Sequence, residues 1–151
     1  MQFDDLNGLN GFVGQEIGVT DWLVIDQTRI DGFAEVTDDR QWIHLDVKRA
    51  RSESPYGTTI AHGFLTLSLI TTLVRDVVVF RVPPGRTINY GLNRVRFPNP
   101  VPAGARVRGR VTLTALEALQ DAAQATWSVT VEREGAEKPC CVAEWLVRYY
   151  P

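Results

Sequence analysis

The segment Phe64–Val74 constrains the fold of this chain more than any other. Phe64, Leu65, Leu67, Leu69, Ile70, Leu73 and Val74 point in nearly every direction around a helical axis, and only small hydroxyl residues interrupt them. A surface helix carries a charged face, whereas a helix that is apolar all round needs neighbours on most sides. A helix is therefore expected over residues 59–75, ended by Arg75-Asp76 and wrapped by a large surface. With 151 residues the chain can build one real core but not two comfortable ones, so a single domain over 1–151 is expected.

The second half of the chain can supply the wrapping. Val77–Val82 is β-branched. Ile88, Tyr90 and Leu92 alternate before the phase slips to Val95 and Phe97, as a bulge near Asn93 would cause. Val107, Val111, Leu113 and Ala115 alternate with Arg108, Arg110, Thr112 and Thr114. Trp127, Val129 and Val131 alternate with Thr126, Ser128 and Thr130, and Cys140–Tyr150 reads as a last strand. The run Pro98-Asn99-Pro100-Val101-Pro102 separates two of these strands.

Before the helix the pattern is less regular. The start, through Gly18, is glycine-rich, and Thr20–Ile25 forms a short strand. Asp26 is a helix N-cap ahead of the apolar face Ile30, Phe33, Ala34, and that helix should end near Thr37-Asp38. Asp39–His44 then falls in a loop or tight turn, and Asp46 caps a short helical piece reaching Ala50. Ser54-Pro55-Tyr56-Gly57 is a turn by composition. One early buried helix followed by several long strands reads as α+β.

Composition narrows the functional classes. A formal net charge of -2 gives no reason to expect nucleic acid or an anionic membrane as partner. No run approaches the roughly 20 apolar residues of a spanning helix, and Gln2-Phe3-Asp4-Asp5 has no secretory-signal character. Cys140 and Cys141 are adjacent and should point to opposite faces of a strand, which suits reduced thiols in a cytoplasmic protein better than a disulfide or a metal site.

The chemistry concentrates in one short span. The only two histidines are His44, inside Asp39-Arg40-Gln41-Trp42-Ile43-His44, and His62, inside Ala61-His62-Gly63 at the mouth of the apolar helix. Asp39 and His44 can meet over one small molecule, and the helix start can offer free backbone N–H groups to the same spot. A carboxylate, an imidazole and an oxyanion site suit acid–base work on a carbonyl compound. Taken alone, an Asp and a His five residues apart are more often structural, as a cap and a satisfied buried group. A metal site from His44, His62 and Asp39 or Asp46 is possible in residue type, but its spacing matches no strong zinc pattern, so no metal is expected.

Three motifs together resemble the MaoC-like hydratases of the hotdog fold, and within them the nodulation-protein-N-like and mycobacterial (R)-specific branch. They are Asp39-Arg40-Gln41-Trp42-Ile43-His44-Leu45-Asp46, Thr59-Ile60-Ala61-His62-Gly63-Phe64-Leu65, and Ile88-Asn89-Tyr90-Gly91-Leu92-Asn93-Arg94-Val95-Arg96-Phe97-Pro98. The first follows the family pattern Gly-Asp-x-Asn-Pro-(aliphatic)-His, with Asp38 in place of Gly, Gln41 in place of Asn and Trp42 in place of Pro. The resemblance implies an antiparallel sheet curled around one long central helix, usually paired into a homodimer.

It also implies an activity: addition of water across a trans-2-enoyl thioester to give an (R)-3-hydroxyacyl product, and the reverse dehydration. Asp39 and His44 would share the proton transfers, with Asp39 as base and His44 as its partner. The Gly63 N–H would hold the thioester oxygen, since glycine lets a ligand approach the backbone closely. The substrate would be an acyl-coenzyme A or acyl carrier protein thioester, with no resident cofactor.

Around this centre several assignments stay open. His62 is read as holding the start of the helix by hydrogen bonding. Trp42, Tyr56 and Phe33 line an acyl tunnel or simply fill core. Asn89, Tyr90 and Asn93 face the site, across a dimer interface, or do not. Lys48, Arg49, Arg94 and Arg96 bind coenzyme A phosphates or are solvated surface. Two other functions remain: an acyl-CoA thioesterase, which usually has a helix carboxylate that Phe64–Val74 lacks, and a non-catalytic acyl-binding module, which has no need of a paired acid and imidazole.

Overall fold

The computed structural model describes residues 1–151. Its centre is a helix in two parts, α4 (Gly63–Ser68) and α5 (Ile70–Val77). Leu69 joins them in a right-handed helical conformation, so the axis runs on. The break has a local cause. Ser68 Oγ donates to the Leu65 carbonyl at 2.7 Å and Thr71 Oγ1 to the Ser68 carbonyl at 3.1 Å, and such hydroxyls compete with the helical ladder.

A six-stranded antiparallel sheet wraps this helix. Its strands are β2 (Glu16–Val19), β3 (Leu23–Ile25), β5 (Arg86–Arg96), β6 (Ala105–Ala118), β7 (Ala123–Arg133) and β8 (Cys141–Tyr150). The order is β2-β6-β7-β8-β5, with β3 also paired to β6. The remaining strands, β1 (Gln2–Phe3) and β4 (Val79–Phe80), form a small parallel pair. Alternation dictates the facing: Val107, Val111, Leu113, Trp127, Val129, Val131 and Val147 are fully buried against Leu65, Leu69, Ile70, Leu73 and Val74 of the helix. The closest approach is at Gly109 of β6, where a Cβ would lie 2.9 Å from Leu73 Cβ.

Ahead of the helix lie α1 (Gln27–Thr37), the one-turn α2 (Trp42–Leu45) and α3 (Val47–Glu53). The Asp26 side chain accepts from Arg29 N at 2.9 Å and the Asp46 side chain from Arg49 N at 2.9 Å, so both expected caps are formed.

Four expectations are corrected. The helix begins at Gly63 rather than Thr59, because residues 59–62 run extended, with Ile60 bridged to Pro102. The wrapping stops short of Phe64, which is 71% exposed, and Ser68 and Thr71 share this open stripe. The glycine-rich start contains β2, whose pairing with β6 is a tertiary contact that no local pattern announces. Val77–Val82 gives only the two-residue β4, because α5 continues through Val77. His44 sits on α2 rather than in a loop. The slip near Asn93 is present between Leu92 and Arg94, and a second lies between Asn89 and Gly91.

Candidate active site

The backbone between α1 and α4 is folded to bring three side chains together. α1 ends at Thr37 and Asp38 turns the chain with φ 58, a left-handed conformation that glycine takes most easily and Asp tolerates. This is the position where the family pattern has Gly. Asp39 follows on an exposed loop, and α2 then turns His44 inward, 7% exposed.

The extended residues 59–62 lie against α2. Ile60 N donates to the Ile43 carbonyl at 3.0 Å, and Ala61 N donates to the Val101 carbonyl at 2.8 Å. His62, 2% exposed, thereby reaches both catalytic candidates. Its ring stacks on His44 with centroids 3.7 Å apart, and its Nε2 lies 2.9 Å from the Asp39 carbonyl oxygen. One ligating side-chain atom from each of Asp39, His44 and His62 falls within 4.8 Å of the others.

Carbonyl partners fix the tautomers. His44 Nδ1 is 2.7 Å from the Ile60 carbonyl, so it carries the proton and leaves Nε2 with a lone pair. His62 Nε2 donates to the Asp39 carbonyl, which leaves Nδ1 as an acceptor, buried and without a partner. Such an atom costs about 1–3 kcal/mol. Burial pushes the His44 pKa below its ordinary 6.5; the Ile60 carbonyl opposes this, His62 adds to it, and Asp39 opposes it.

The same three residues form the only donor set suited in type to a metal. Their geometry does not fit one. The two imidazole planes are inclined by only 27°, and a metal bond must lie in each plane, so the planes meet well beyond the roughly 2.0–2.1 Å of a zinc–nitrogen bond.

A cavity of about 280 Å³ opens beside His44. Gly63, Thr66, Tyr56, Phe97 and Cys140 are among its walls. Gly63, the first residue of α4, brings the helix's unpaired N–H end to this cavity, and a Cβ there would press on the Phe97 ring at 3.2 Å. Two further cavities follow the open stripe of the helix. One of about 240 Å³ is lined by Phe33, Phe64, Ser68 and Leu92; one of about 470 Å³ by Val74, Phe80, Pro84 and Val147. They share Thr71, Asn89 and Trp145. No larger cavity of the chain has Asp39 or His44 among its walls, so we take the one at His44 as the chemical centre.

The structure therefore joins Asp39 to His44, and places Gly63 and Tyr56 with His44 on the walls of one cavity. Phe33 packs on His62 at 5.1 Å between ring centroids and faces the second cavity. Asn89 lines the second and third cavities and accepts from Trp145 Nε1 at 2.8 Å. Trp42 lines none of them and lies under the Arg49 guanidinium at 4.2 Å, while Asn93 is exposed on β5 away from every cavity. Tyr90 stacks under Arg148.

Sequence reasoning missed Gln27. Its Nε2 donates to the His44 carbonyl at 2.8 Å, and its Oε1 accepts from the buried Thr59 hydroxyl at 2.5 Å, tying α1 to α2 and to the segment that leads into α4. Nothing in a single sequence marks a glutamine 17 residues away as a strut.

Comparison with known proteins identifies the family. The family profile described as "MaoC like domain" matches residues 10–135. The chain belongs to the MaoC-like dehydratase family. It is 47% identical over 148 residues to 3-hydroxyacyl-thioester dehydratase Z of Mycobacterium tuberculosis, covering 97% of each chain. It is 45% identical over 136 residues to nodulation protein N of Rhizobium leguminosarum, covering 89% of this chain and 84% of that one. The solved (R)-hydratase from A. caviae involved in PHA biosynthesis superposes with a TM-score of 0.72 at 26% identity, over 92% of this chain and 96% of that one. The fold is thus the hotdog α+β fold, and family membership makes the chain a hydro-lyase.

Proposed function

We propose that this protein is an (R)-specific 2-enoyl-thioester hydratase, also running as a 3-hydroxyacyl-thioester dehydratase, on coenzyme A or acyl carrier protein thioesters. The observation that carries the reading is the meeting of the Asp39 carboxylate and the His44 imidazole beside the N–H end of α4. With Nδ1 protonated toward Ile60, His44 presents Nε2 as an acceptor, and the Asp39 carboxylate is an acceptor too. One water is held between them. As its oxygen bonds to C3, the pair takes one of its protons. The C2=C3 π electrons move toward the thioester carbonyl, whose oxygen accepts from Gly63 N–H. The same pair then returns a proton to C2, which leaves both side chains as they began and one water added. No metal or redox group takes part in these steps.

The acyl chain lies along the open helix stripe, past Phe33 toward the shared Thr71, Asn89 and Trp145 wall; Tyr56 belongs to the thioester side. Asn93, off every cavity in one chain but on the β5 edge, serves the site only through a neighbouring subunit, while Trp42, held under Arg49 on α2, is left out of the substrate path. A homodimer supports that arrangement: β5 is an edge strand, with Ile88 41%, Tyr90 53% and Leu92 41% exposed beside the open Phe64. Such an edge seeks a partner. Two free buried thiols fit a cytoplasmic setting, and no helix is long and apolar enough to cross a membrane.

The test is loss of the enoyl-thioester ultraviolet band on mixing the protein with crotonyl-CoA or a long-chain 2-enoyl-CoA, with chiral analysis of the product. Turnover by the native chain and a fall of about 10²–10⁴ in Asp39→Asn and in His44→Gln support the reading. Release of free thiol without hydration would make the protein a thioesterase.

A further inference from the structure

We infer that His62 is a positioning residue that holds the Asp39–His44 pair in register, one ring serving both members. It rests on the hydratase reading only for its kinetic readout. The geometry is two-sided. The edge of the ring, Nε2–H, donates to the backbone carbonyl of Asp39 at 2.9 Å and so sets where the carboxylate loop stands. The ring stacks on that of His44 with centroids 3.7 Å apart and shields it from water, and the Phe33 ring centroid lies 5.1 Å from that of His62. Asp39 arrives from the loop after α1, His44 from α2, and His62 from the start of α4, so no shared element fixes their relation. His62 touches both, through its edge at the Asp39 carbonyl and its face on the His44 ring.

The unpaired Nδ1 strengthens the case. A residue kept only to anchor a helix start would do so at less cost with all its polar atoms paired, and His62 makes no side-chain cap bond to α4. The hydrogen bond expected of His62 at the helix start is present, to the Asp39 carbonyl, and the same residue also holds the loop and the other imidazole. The groups facing His44 are His62 and Asp39, with Tyr56 and Cys140 across the cavity. Of these, only His62 is stacked on it.

Two substitutions separate the halves. His62→Gln keeps a donor near the Nε2 position and removes the ring; His62→Phe keeps a ring and removes the donor. In His62→Phe, kcat falls at least about tenfold with KM within about twofold, because the carboxylate loses its register. In His62→Gln, the His44 titration moves up toward 6.5, as the stacked imidazole and its exclusion of water are gone. The native chain has only two histidines, so either variant leaves a single imidazole signal, and NMR titration reads His44 with no substrate present. Folding is checked by far-ultraviolet circular dichroism. Folded variants that keep native kcat and a native His44 titration overturn the inference. A native chain without turnover, alongside a His44 titration that shifts in His62→Gln, overturns the hydratase reading and leaves the clamp standing.

Discussion

At the scale of the residue, His44 is governed by what surrounds it rather than by its own chemistry. Its pKa in the folded chain lies below the unfolded 6.5, chiefly through burial. Unfolding therefore takes up a proton once the pH drops below that value. This contribution to stability is fully present above about pH 6.5 and is lost as the pH falls beneath it. Denaturant titrations at stepped pH check this, and in His44→Gln the slope just below 6.5 should flatten. The acid limb of kcat/KM should lie below 6.5 in the native enzyme for the same reason. Asp38 makes a second residue-scale case. It holds φ 58, and a left-handed residue with a Cβ costs roughly 1 kcal/mol. Asp38→Gly should leave activity unchanged and raise the melting temperature slightly, while Asp38→Val should lower it.

At the scale of the element, the site depends on struts between pieces that are weak alone. α2 is a single turn, and its position is set by Ile60 on one side and Gln27 on the other. Gln27→Ala removes the partner of a 2.5 Å bond from Thr59, which is fully buried. The orphaned hydroxyl and the freed His44 carbonyl should cost about 1–3 kcal/mol in chemical denaturation and lower kcat more than they raise KM. The central helix is likewise seated by one glycine. Gly109→Ala sets a methyl 2.9 Å from Leu73 Cβ, in backbone and core with little room to give, and should destabilise by about 1–3 kcal/mol.

At the scale of the whole molecule, the open stripe of the helix and the unpaired β5 edge form one surface. Ile88, Tyr90, Leu92 and Phe64 on it are all at least two-fifths exposed in one chain. If two copies join there, sedimentation equilibrium gives twice the chain mass, and Leu92→Lys shifts it to the single chain with loss of turnover. A monomeric, fully active native protein would refute the dimer.

The sequence determined what depends on short range. The alternation of β6, β7 and β8, the caps Asp26 and Asp46, the proline break and the apolar helix are each set by neighbours within a few residues, and all are present. The motif around Asp39 and His44 was legible because its spacing repeats in a known family, and the Gly position occupied by Asp38 has its reason in a backbone angle. Tertiary structure decided the rest. Residues 59–62 left the helix because Ile60 and Ala61 bond to Ile43 and Val101, far apart in the chain. β2 exists only because β6 lies beside it. Gln27, Thr59 and His62 acquired their places around His44 from hydrogen bonds 17 to 32 residues apart, and no periodicity within one segment encodes an angle between two.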